Sequence, residues 1–441
     1  MADPVVVSAL RTATARFGGA LKDISAAEIG GKVLAAALAE TKVEAGEIDE
    51  LLMGMVYQGG AGANPARQAA VHAELPYEVP SMTVNKLCGS GLKTVGLGAQ
   101  TLRAGEAEVV LAGGMENMSL APYVMPGARW GERLGHGQVE DMMLLDGLWD
   151  CFYDCHMGVT AENLAEEYGI SREEQDLFAA RSQQRWAIAQ EQGAFKGEIA
   201  PITVAQKRGV EVFVVDEHPR SGTTAEQLSQ LKPAFKKDGT VTAGNASGIN
   251  DGAAALLLMT EEGAKARDLA PLAHIRGTAS AGVDPRVMGI GPAPAIRKLL
   301  DKTGTKLEDI ELIELNEAFA AQSLAVGREL DWDWDRVNVQ GGAIAMGHAV
   351  GASGARIATT LLHQMRKQDA RLGIAALCIG GGMGIAMLFE RVGSARAGRG
   401  ASRSSADCTR PPARYTRGAS GRLEGGFGFD VFAVDGLLVL L

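Results

Sequence analysis

The stretch from residue 85 to residue 119, NKLCGSGLKTVGLGAQTLRAGEAEVVLAGGMENMS, joins a glycine-flanked loop, a helical pattern, an apolar strand and a Gly-Gly turn. A second stretch has the same parts in the same order: GGAIAMGHAVGASGARIATTLLHQM, residues 341–365, leads into GIAALCIGGGMGIAM, residues 373–387. This recurrence favours a chain of two duplicated halves, although α/β chains also produce such similarity by chance.

The rest of the chain has the same rhythm of apolar runs and amphipathic stretches, which predicts an α/β fold with buried sheets. The predicted strands are Val5–Val7, Leu51–Val56, Val109–Ala112, Ile310–Leu315 and Ile374–Ile379. Helical patterns cover residues 31–43 and 354–367. Residues 120–250 break the rhythm and predict an inserted region, where binding contacts are commonly placed.

These patterns divide the chain into five parts. We predict an N-terminal half over residues 1–119, an inserted loop domain over 120–250, a return to the first half over 251–270, a C-terminal half over 271–392 and a tail over 393–441. The tail is rich in Arg, Gly, Ser and Ala and shows no periodicity, so we expect disorder there.

Composition limits the kind of partner. The 441 residues carry a formal net charge of -10, which argues against nucleic acid or an anionic membrane as the main partner. Five cysteines, an odd number in a long chain, fit a reducing compartment rather than a disulfide framework. The N-terminus lacks the pattern of a secretory signal, and no window reaches a membrane span, so we expect a cytoplasmic protein.

Cys88 stands in the first glycine-flanked loop, just before a helical pattern. A cysteine at a helix N-terminus is favoured as a thiolate because the helix start carries about half a positive elementary charge. Gly89 and Gly91 let a substrate approach the backbone closely. The pattern therefore suggests a nucleophile, and the alternative is a cysteine that packs as a small hydrophobe.

Other polar residues also occupy glycine-rich loops or strand ends. His348 lies between glycine and small apolar residues, where it is either a base or a structural histidine. Cys378 ends an apolar strand before three glycines and is either reactive or simply buried. Asn316 and Glu317 follow another strand, where Asn316 could offer an amide and Glu317 a carboxylate. The simpler explanation for Asn316 is that it caps the start of a helix.

Seven motifs, in order, resemble those of the thiolases. They are NKLCGSGLKTV, GGMENMS, NASGINDGA, MGIGPAPA, ELNEAFA, GGAIAMGHAVGASGAR and CIGGGMG. The resemblance covers roughly residues 4 to 392. It implies a thiolase fold, a five-layer α/β/α/β/α arrangement of two similar halves with an inserted loop domain.

The resemblance also implies roles for individual residues. Cys88 would be the nucleophile that takes the acyl group, His348 the base that activates it, and Cys378 the acid/base for the second substrate. Asn316 would hold a water that forms one oxyanion hole with His348. The backbone N–H groups of Cys88 and Gly380 would form another.

By the same resemblance, the substrates are coenzyme A thioesters, and no cofactor or metal is expected. Arg220 matches a position near the nucleotide, and the positions along the pantetheine arm match Leu148, Ala243 and Ser247. Zinc at the cysteines beside His156 is not expected, because no second Cys-His pair has ligand spacing.

His156, Met157 and Met288 match positions that narrow the acyl pocket in short-chain members. We therefore expect an acetyl-CoA C-acetyltransferase that converts two acetyl-CoA to acetoacetyl-CoA and CoA through an acyl-cysteine. The alternatives are a longer-chain 3-ketoacyl-CoA thiolase of β-oxidation and a non-catalytic acyl-CoA or lipid carrier. A ketoacyl synthase fits less well because it usually lacks a second cysteine like Cys378.

Two further expectations concern a departure from the thiolase motif and the assembly of subunits. The residue after the catalytic histidine is commonly proline in thiolases, and here it is Ala349, which we expect to loosen the loop slightly. Members form dimers and tetramers, so we expect a homotetramer or homodimer, with residues 120–137 where a tetramer-forming loop would lie.

Overall fold

Strand β1 shows how the apolar pattern builds the core. In the computed structural model, which describes residues 3–131, 133–206 and 209–393, all eight residues of β1 (Pro4–Arg11) are buried. Because successive strand residues face opposite sides, Val5 and Val7 enter one apolar cluster and Val6 enters another, which Ala9 joins because a bulge between Val6 and Ser8 shifts the alternation. A strand buried on both faces explains the continuous apolar run VVVSAL.

The other strands follow in chain order. They are β2 (Ala15–Arg16), β3 (Glu50–Gly54), β4 (Ser81–Val84), β5 (Val109–Asn117), β6 (Tyr123–Val124), β7 (Glu140–Asp141), β8 (Trp149–Asp150), β9 (Cys155–His156), β10 (Ile202–Gln206), β11 (Gly209–Phe213), β12 (Asn250–Thr260), β13 (Ala273–Gly282), β14 (Leu312–Leu315), β15 (Leu372–Ile379) and β16 (Met383–Arg391).

The α-helices lie between these strands. They are α1 (Ala26–Thr41), α2 (Pro65–His72), α3 (Ser90–Ala104), α4 (Met157–Glu167), α5 (Arg172–Glu191), α6 (Ala225–Ser229), α7 (Glu261–Ala266), α8 (Pro292–Thr303), α9 (Ala320–Leu330), α10 (Ala343–Met346) and α11 (Val350–Lys367). A π-helical turn covers Leu144–Leu148.

The large sheet repeats one arrangement of strands. Its order is β14-β15-β16-β13-β1-β12-β5-β3-β4, with β2 beside β12. In the first half β3 is parallel to β5, and β5, β12 and β1 are antiparallel. In the second half β14 is parallel to β15, and β15, β16 and β13 are antiparallel. The two halves meet where β1 pairs with β13, and the prediction of duplicated halves is confirmed.

The two halves of the sheet are joined at one strand pair, and helices pack on their faces. One apolar cluster joins α1 and α2 to the first half, and another joins α8 to the second half. A third cluster contains α3 and α11 together with residues from both halves of the sheet. The layers therefore follow the order helix, sheet, helix, sheet, helix, as the α/β/α/β/α prediction requires.

Glycines bring α3 and α11 into backbone contact. A Cβ on Gly91 would lie 2.7 Å from the backbone nitrogen of Ala355, and one on Gly354 would lie 2.3 Å from that of Leu92. Larger residues at these positions would separate the helices. Since Cys88 precedes α3 and His348 precedes α11, this close packing brings the two reactive loops together.

Most elements match the sequence prediction, with shifted ends. The strand predicted to end at Val56 ends at Gly54, and the strand predicted from Ile310 begins at Leu312. The chain leaves the large sheet after β5 and rejoins it at β12, so β6 to β11 lie outside it. The five-part division of the chain stays a prediction, and the tail beyond Gly393 lies outside the described residues.

Candidate active site

Cys88 lies in a sharp turn between β4 and α3. Leu87 has a φ of 47°, in the left-handed region that a bulky residue rarely adopts. The Gly89 N–H donates to the Lys86 carbonyl at 3.1 Å, and the Ser90 N–H donates to that of Leu87 at 2.9 Å. The turn places the half-buried Cys88 thiol just before the first residue of the helix.

The pKa of the Cys88 thiol differs from the sequence expectation. This pKa is raised to about 11: burial is the largest cause, backbone N–H groups of Gly380 and Cys88 lower the pKa, and the charge of Glu116 raises it. Cys88 is therefore a thiol in the free protein rather than the thiolate that a helix start favours, because desolvation outweighs these N–H groups. The thiol needs a base to remove its proton.

His348 is the residue predicted to be that base. Burial, with a smaller contribution from the charge of Arg356, lowers the pKa of His348 to about 3, so the ring is neutral at pH 7. Nδ1 lies 2.5 Å from the Ser353 hydroxyl, which donates to the Ala349 carbonyl at 2.9 Å. The hydroxyl therefore accepts from Nδ1–H, which leaves Nε2 as the proton acceptor.

Asn316 lies beside the free ring nitrogen. Its Nδ2 is 3.5 Å from Nε2 of His348, and its Oδ1 is 3.5 Å from a guanidinium nitrogen of Arg356. Arg356 is itself buried and lies 3.9 Å from Glu314, whose pKa burial raises to about 8. The guanidinium thus faces the amide oxygen, which keeps the amide nitrogen directed to the histidine.

The capping explanation for Asn316 was wrong. Helix α9 begins four residues after Asn316, with Phe319 at its N-cap. The buried Glu317 carboxylate instead accepts from the Ser182 hydroxyl and the Asn338 amide, each at 2.7 Å. It holds separate loops together beneath the site.

Cys378 ends β15 within the same site. Burial raises the pKa of its thiol well above the usual value, and the charge of Cys88 raises it further, which shows that the two sulfurs are close. The backbone N–H of Gly380 reaches the Cys88 sulfur. The structure therefore brings Cys88, Cys378 and Gly380 together and places Asn316 beside His348. The catalytic roles of these five residues stay predictions.

Apolar side chains surround Cys378. One buried cluster contains Cys378 with Met157, Met288 and Phe319. A Cβ on Gly380 would lie 2.8 Å from the Met157 side chain, so the methionine reaches the loop that carries the predicted oxyanion donor. The space beside the thiols is thus bounded by large side chains.

His156 stands at the start of α4, next to this apolar cluster. Its ring stacks on Phe235 with centroids 4.6 Å apart, and its Nδ1 accepts from the Gly158 N–H at 3.0 Å. Burial lowers the pKa of His156 to about 4. The neutral ring therefore carries its proton on Nε2, which has no hydrogen-bond partner among the described residues.

The segment over residues 245–250 links several loops of the site. The Ser247 N–H donates to the Ala318 carbonyl at 2.9 Å, and Ile249 forms a bridge with His348. Asn250 accepts from the His348 N–H at 2.9 Å. Ser247 and Ala243 are both half-buried beside this segment, in positions that a ligand can reach.

The remaining predicted binding residues lie nearer the surface. Arg220 is exposed, with its backbone N–H held by Gln183 at 2.9 Å, and Leu148 ends the half-buried π-helical turn. Asp216, near Arg220 in sequence, is anchored by the buried Arg11, whose guanidinium bonds both carboxylate oxygens. The structure thus fixes the backbone that carries Arg220 and leaves the residue exposed, and its role near the nucleotide stays a prediction.

Three contributors to the site had no role in the sequence interpretation. Ser353, Arg356 and Asn250 all contact the histidine or its amide neighbour. Each lies in one of the seven motifs that resemble the thiolases. No local pattern, however, shows that a serine five residues after a histidine forms a hydrogen bond with the histidine ring. Among the described residues, a grouping of possible metal ligands occurs only at Asp3, Glu261 and His274, away from the Cys151–His156 segment.

Comparisons with known proteins agree with this geometry. Residues 4–262 match the family described as "Thiolase, N-terminal domain", and residues 269–391 match "Thiolase, C-terminal domain". An acetyl-CoA acetyltransferase of Pseudomonas aeruginosa is 60% identical over 392 residues, covering 89% of this chain and 100% of that protein. One from Escherichia coli K12 is 56% identical over 393 residues, with the same coverage.

Solved structures give the same fold. The Bacillus anthracis acetyl-CoA acetyltransferase superimposes with a TM-score of 0.87 at 48% identity, covering 89% of this chain and 99% of the other. Human mitochondrial 3-ketoacyl-CoA thiolase also gives 0.87, at 45% identity and with the same coverage. The fold, the ordered site and these relatives together show that the chain belongs to the thiolase family.

Proposed function

We propose that this thiolase is an acetyl-CoA C-acetyltransferase, which converts two acetyl-CoA to acetoacetyl-CoA and free CoA and catalyses the reverse reaction. The observation that carries the proposal is a pair of thiols beside the Gly380 N–H, in a fold where close contact between α3 and α11 brings the Cys88 and His348 loops together. Curated relatives at 52–60% identity bear this activity in their names.

The first half-reaction moves an acetyl group to the enzyme. His348 Nε2 takes the Cys88 proton, and the sulfur attacks the thioester carbonyl of acetyl-CoA. The N–H groups of Cys88 and Gly380 stabilise the oxyanion, and the C–S bond to CoA breaks. Cys378 gives its proton to the CoA thiolate, which leaves acetyl-Cys88, free CoA, a Cys378 thiolate and a protonated His348.

The second half-reaction forms the carbon-carbon bond. Cys378, now a thiolate, removes an α-proton from a second acetyl-CoA, whose enolate oxygen is stabilised by the Nε2–H of protonated His348 and a water on Asn316. The α-carbon attacks the acetyl-Cys88 carbonyl, and the C–S bond to Cys88 breaks. The Cys88 sulfur takes the proton from His348, Cys378 keeps the α-proton, and acetoacetyl-CoA leaves. These steps need no cofactor or metal.

Short acyl groups fit the site best. Met157, Met288 and Phe319 fill the space around Cys378, so little room remains for a long acyl chain. The Nε2–H of His156 is an unsatisfied donor that suits a carbonyl oxygen of the bound thioester. Leu148, Ala243 and Ser247 suit the pantetheine arm, and Arg220 suits the phosphates of CoA.

A direct assay tests the proposal. The purified protein is given acetoacetyl-CoA and CoA, and loss of the acetoacetyl absorbance is followed, with 3-ketohexadecanoyl-CoA as rival substrate and Cys88→Ala as control. We expect fast turnover of the short substrate and none by the variant. Preference for the long substrate would favour a β-oxidation thiolase instead, and turnover of neither would favour a carrier.

The subunits are proposed to assemble as a homotetramer in the cytoplasm. The described segment after β5 exposes Tyr123, Trp130, Leu134 and Val139, and the edge strand β4 exposes Met82. An exposed apolar segment and a free strand edge suit association with further copies of the chain. Mass measurement by light scattering tests this, with the double variant Trp130→Ser plus Leu134→Ser expected to lower the mass of the particle.

No helix among the described residues is long and apolar enough to cross a membrane.

A further inference from the structure

Helix α11 carries the histidine side of the site but does not cap its own start. The N-cap residue is Ala349, which has no side chain able to accept a hydrogen bond. The first N–H groups of any helix lack partners within the helix, and leaving one buried and unpaired costs about 1–3 kcal/mol. An acceptor from elsewhere in the chain is therefore required.

Glu116, at the end of β5 in the other half, supplies this acceptor. Its fully buried carboxylate accepts from the Gly351 N–H at 2.8 Å, in the first turn of α11. The contact is tight, since a Cβ on Gly351 would lie 2.7 Å from Oε2 of Glu116. Only glycine allows the helix to approach the carboxylate so closely.

The same carboxylate holds the cysteine side of the site. It accepts from the Val56 N–H at 3.0 Å and from the Tyr57 N–H at 3.2 Å. The Val56 carbonyl in turn accepts from the side-chain amide of Asn85 at 3.4 Å. The amide oxygen of Asn85 accepts from the Leu87 N–H at 3.0 Å. This chain of bonds ends at the residue before Cys88.

We propose that Glu116 is a positioning residue that sets His348 against Cys88 by binding both reactive turns through backbone N–H groups. It acts on the histidine through the first turn of α11, where Ser353 holds the imidazole Nδ1. The proposal rests on the acyl-transfer function proposed above. It assigns a use to the carboxylate of the GGMENMS motif, which touches no reacting atom.

The charge of Glu116 has a separate, measurable effect. This charge raises the pKa of Cys88. Other ionisable groups near the carboxylate are Tyr57 and Asp251. Removal of the charge should therefore make Cys88 more acidic, whereas loss of positioning should make the enzyme slower.

The test compares Glu116→Gln and Glu116→Asp with Asp49→Asn. Glutamine keeps the size of the side chain, but its amide N–H groups would face backbone N–H groups, which cannot accept a hydrogen bond. Aspartate keeps the charge, but its shorter side chain does not reach the Gly351 N–H. Asp49 is a matched control, because its carboxylate accepts from the Glu108 and Val109 N–H groups at the opposite end of β5. The readouts are kcat and KM for thiolysis, thermal unfolding, and the pH profile of Cys88 alkylation by iodoacetamide.

We expect kcat to fall about 10- to 100-fold in both Glu116 variants, with KM for CoA within about twofold, because misplacement of a base by an ångström has effects of this size. The alkylation profile should move to lower pH in Glu116→Gln only. Asp49→Asn should keep wild-type kcat. A kcat within about twofold of wild type in Glu116→Asp would overturn the proposal, even if Glu116→Gln failed to fold. A wild type without turnover would instead refute the proposed function.

Discussion

The Ser353 hydroxyl lies 2.5 Å from Nδ1 of His348 while it donates to the Ala349 carbonyl at 2.9 Å. A hydroxyl has one proton, so its donation to the carbonyl makes it an acceptor for the imidazole N–H. The serine therefore selects the tautomer in which Nε2 carries the lone pair that the proposed proton transfer from Cys88 needs.

Ser353→Ala should lower kcat about tenfold and leave KM for acetoacetyl-CoA within about twofold, because general-base catalysis depends on the correct tautomer. Steady-state kinetics of thiolysis measures this. Thr359→Val is a matched control on the same helix, since the buried Thr359 hydroxyl has no hydrogen-bond partner among the described residues. An unchanged kcat in Ser353→Ala would show that the tautomer is set by another group.

His348 should make the folded protein less stable in acid. Its pKa is about 3 in the folded chain, below the ordinary 6.5, so both states are neutral above pH 6.5. Between these values only the unfolded chain binds the proton, and the free energy of unfolding falls by up to about 1.4 kcal/mol per pH unit. Buried acids with raised pKa, such as Glu314, act in the opposite direction.

Comparison of the wild type with His348→Asn isolates the contribution of this histidine to the pH dependence of stability. Urea unfolding of wild type and His348→Asn at about pH 7 and about pH 5 should show that acid weakens the wild type more than the variant. The carboxylates common to both cancel in the comparison. Parallel losses of stability would mean that His348 is not the group that resists protonation.

The acyl pocket should widen when its methionine is shortened. Met288→Ala should raise the activity with 3-ketohexanoyl-CoA relative to acetoacetyl-CoA several-fold, because Met288 shares the cluster with Cys378. Truncation of a buried methionine costs about 2–5 kcal/mol of stability. Met259→Ala, which removes a buried methionine of another cluster, controls for that loss. An equal shift in both variants would contradict the assignment.

The exposed Arg220 should matter for CoA and not for the chemical steps. Arg220→Ala should raise KM for CoA several-fold and leave kcat unchanged, since an exposed charge contributes attraction that salt screens. The difference from wild type should shrink at high salt. With dephospho-CoA the two proteins should become more alike if the 3'-phosphate is the partner, and a persistent difference would place the arginine elsewhere on the nucleotide.

Ala349→Pro should be tolerated. The φ of Ala349 is -71°, within the range that proline imposes. Restriction of the unfolded chain should then add about 0.4–1 kcal/mol of stability. Thermal unfolding and thiolysis rates measure the outcome. A loss of activity would show that the His348 turn needs the freedom that alanine gives it.

The resemblance of seven motifs predicted the site, whereas local patterns alone left each residue with a structural alternative. Of the residues predicted to act together, the structure places Cys88 near Cys378 and Asn316 beside His348. The pKa of Cys88 was not predictable, because the helix start is visible in the sequence while the burial that opposes it is not. Asn316 was a candidate helix cap, but its amide faces His348 and Arg356 instead.

By itself, the sequence of this protein determined the repeated strand and helix order, the glycine-rich loops and the reactive residues within them. These features depend on the side-chain period of each element and on turns a few residues long. Only the tertiary structure decided which polar groups meet in the interior, such as Glu116 with Gly351 and Arg356 with Asn316. Such pairs join residues far apart in the chain, and their hydrogen bonds and desolvation depend on distances that no local pattern encodes.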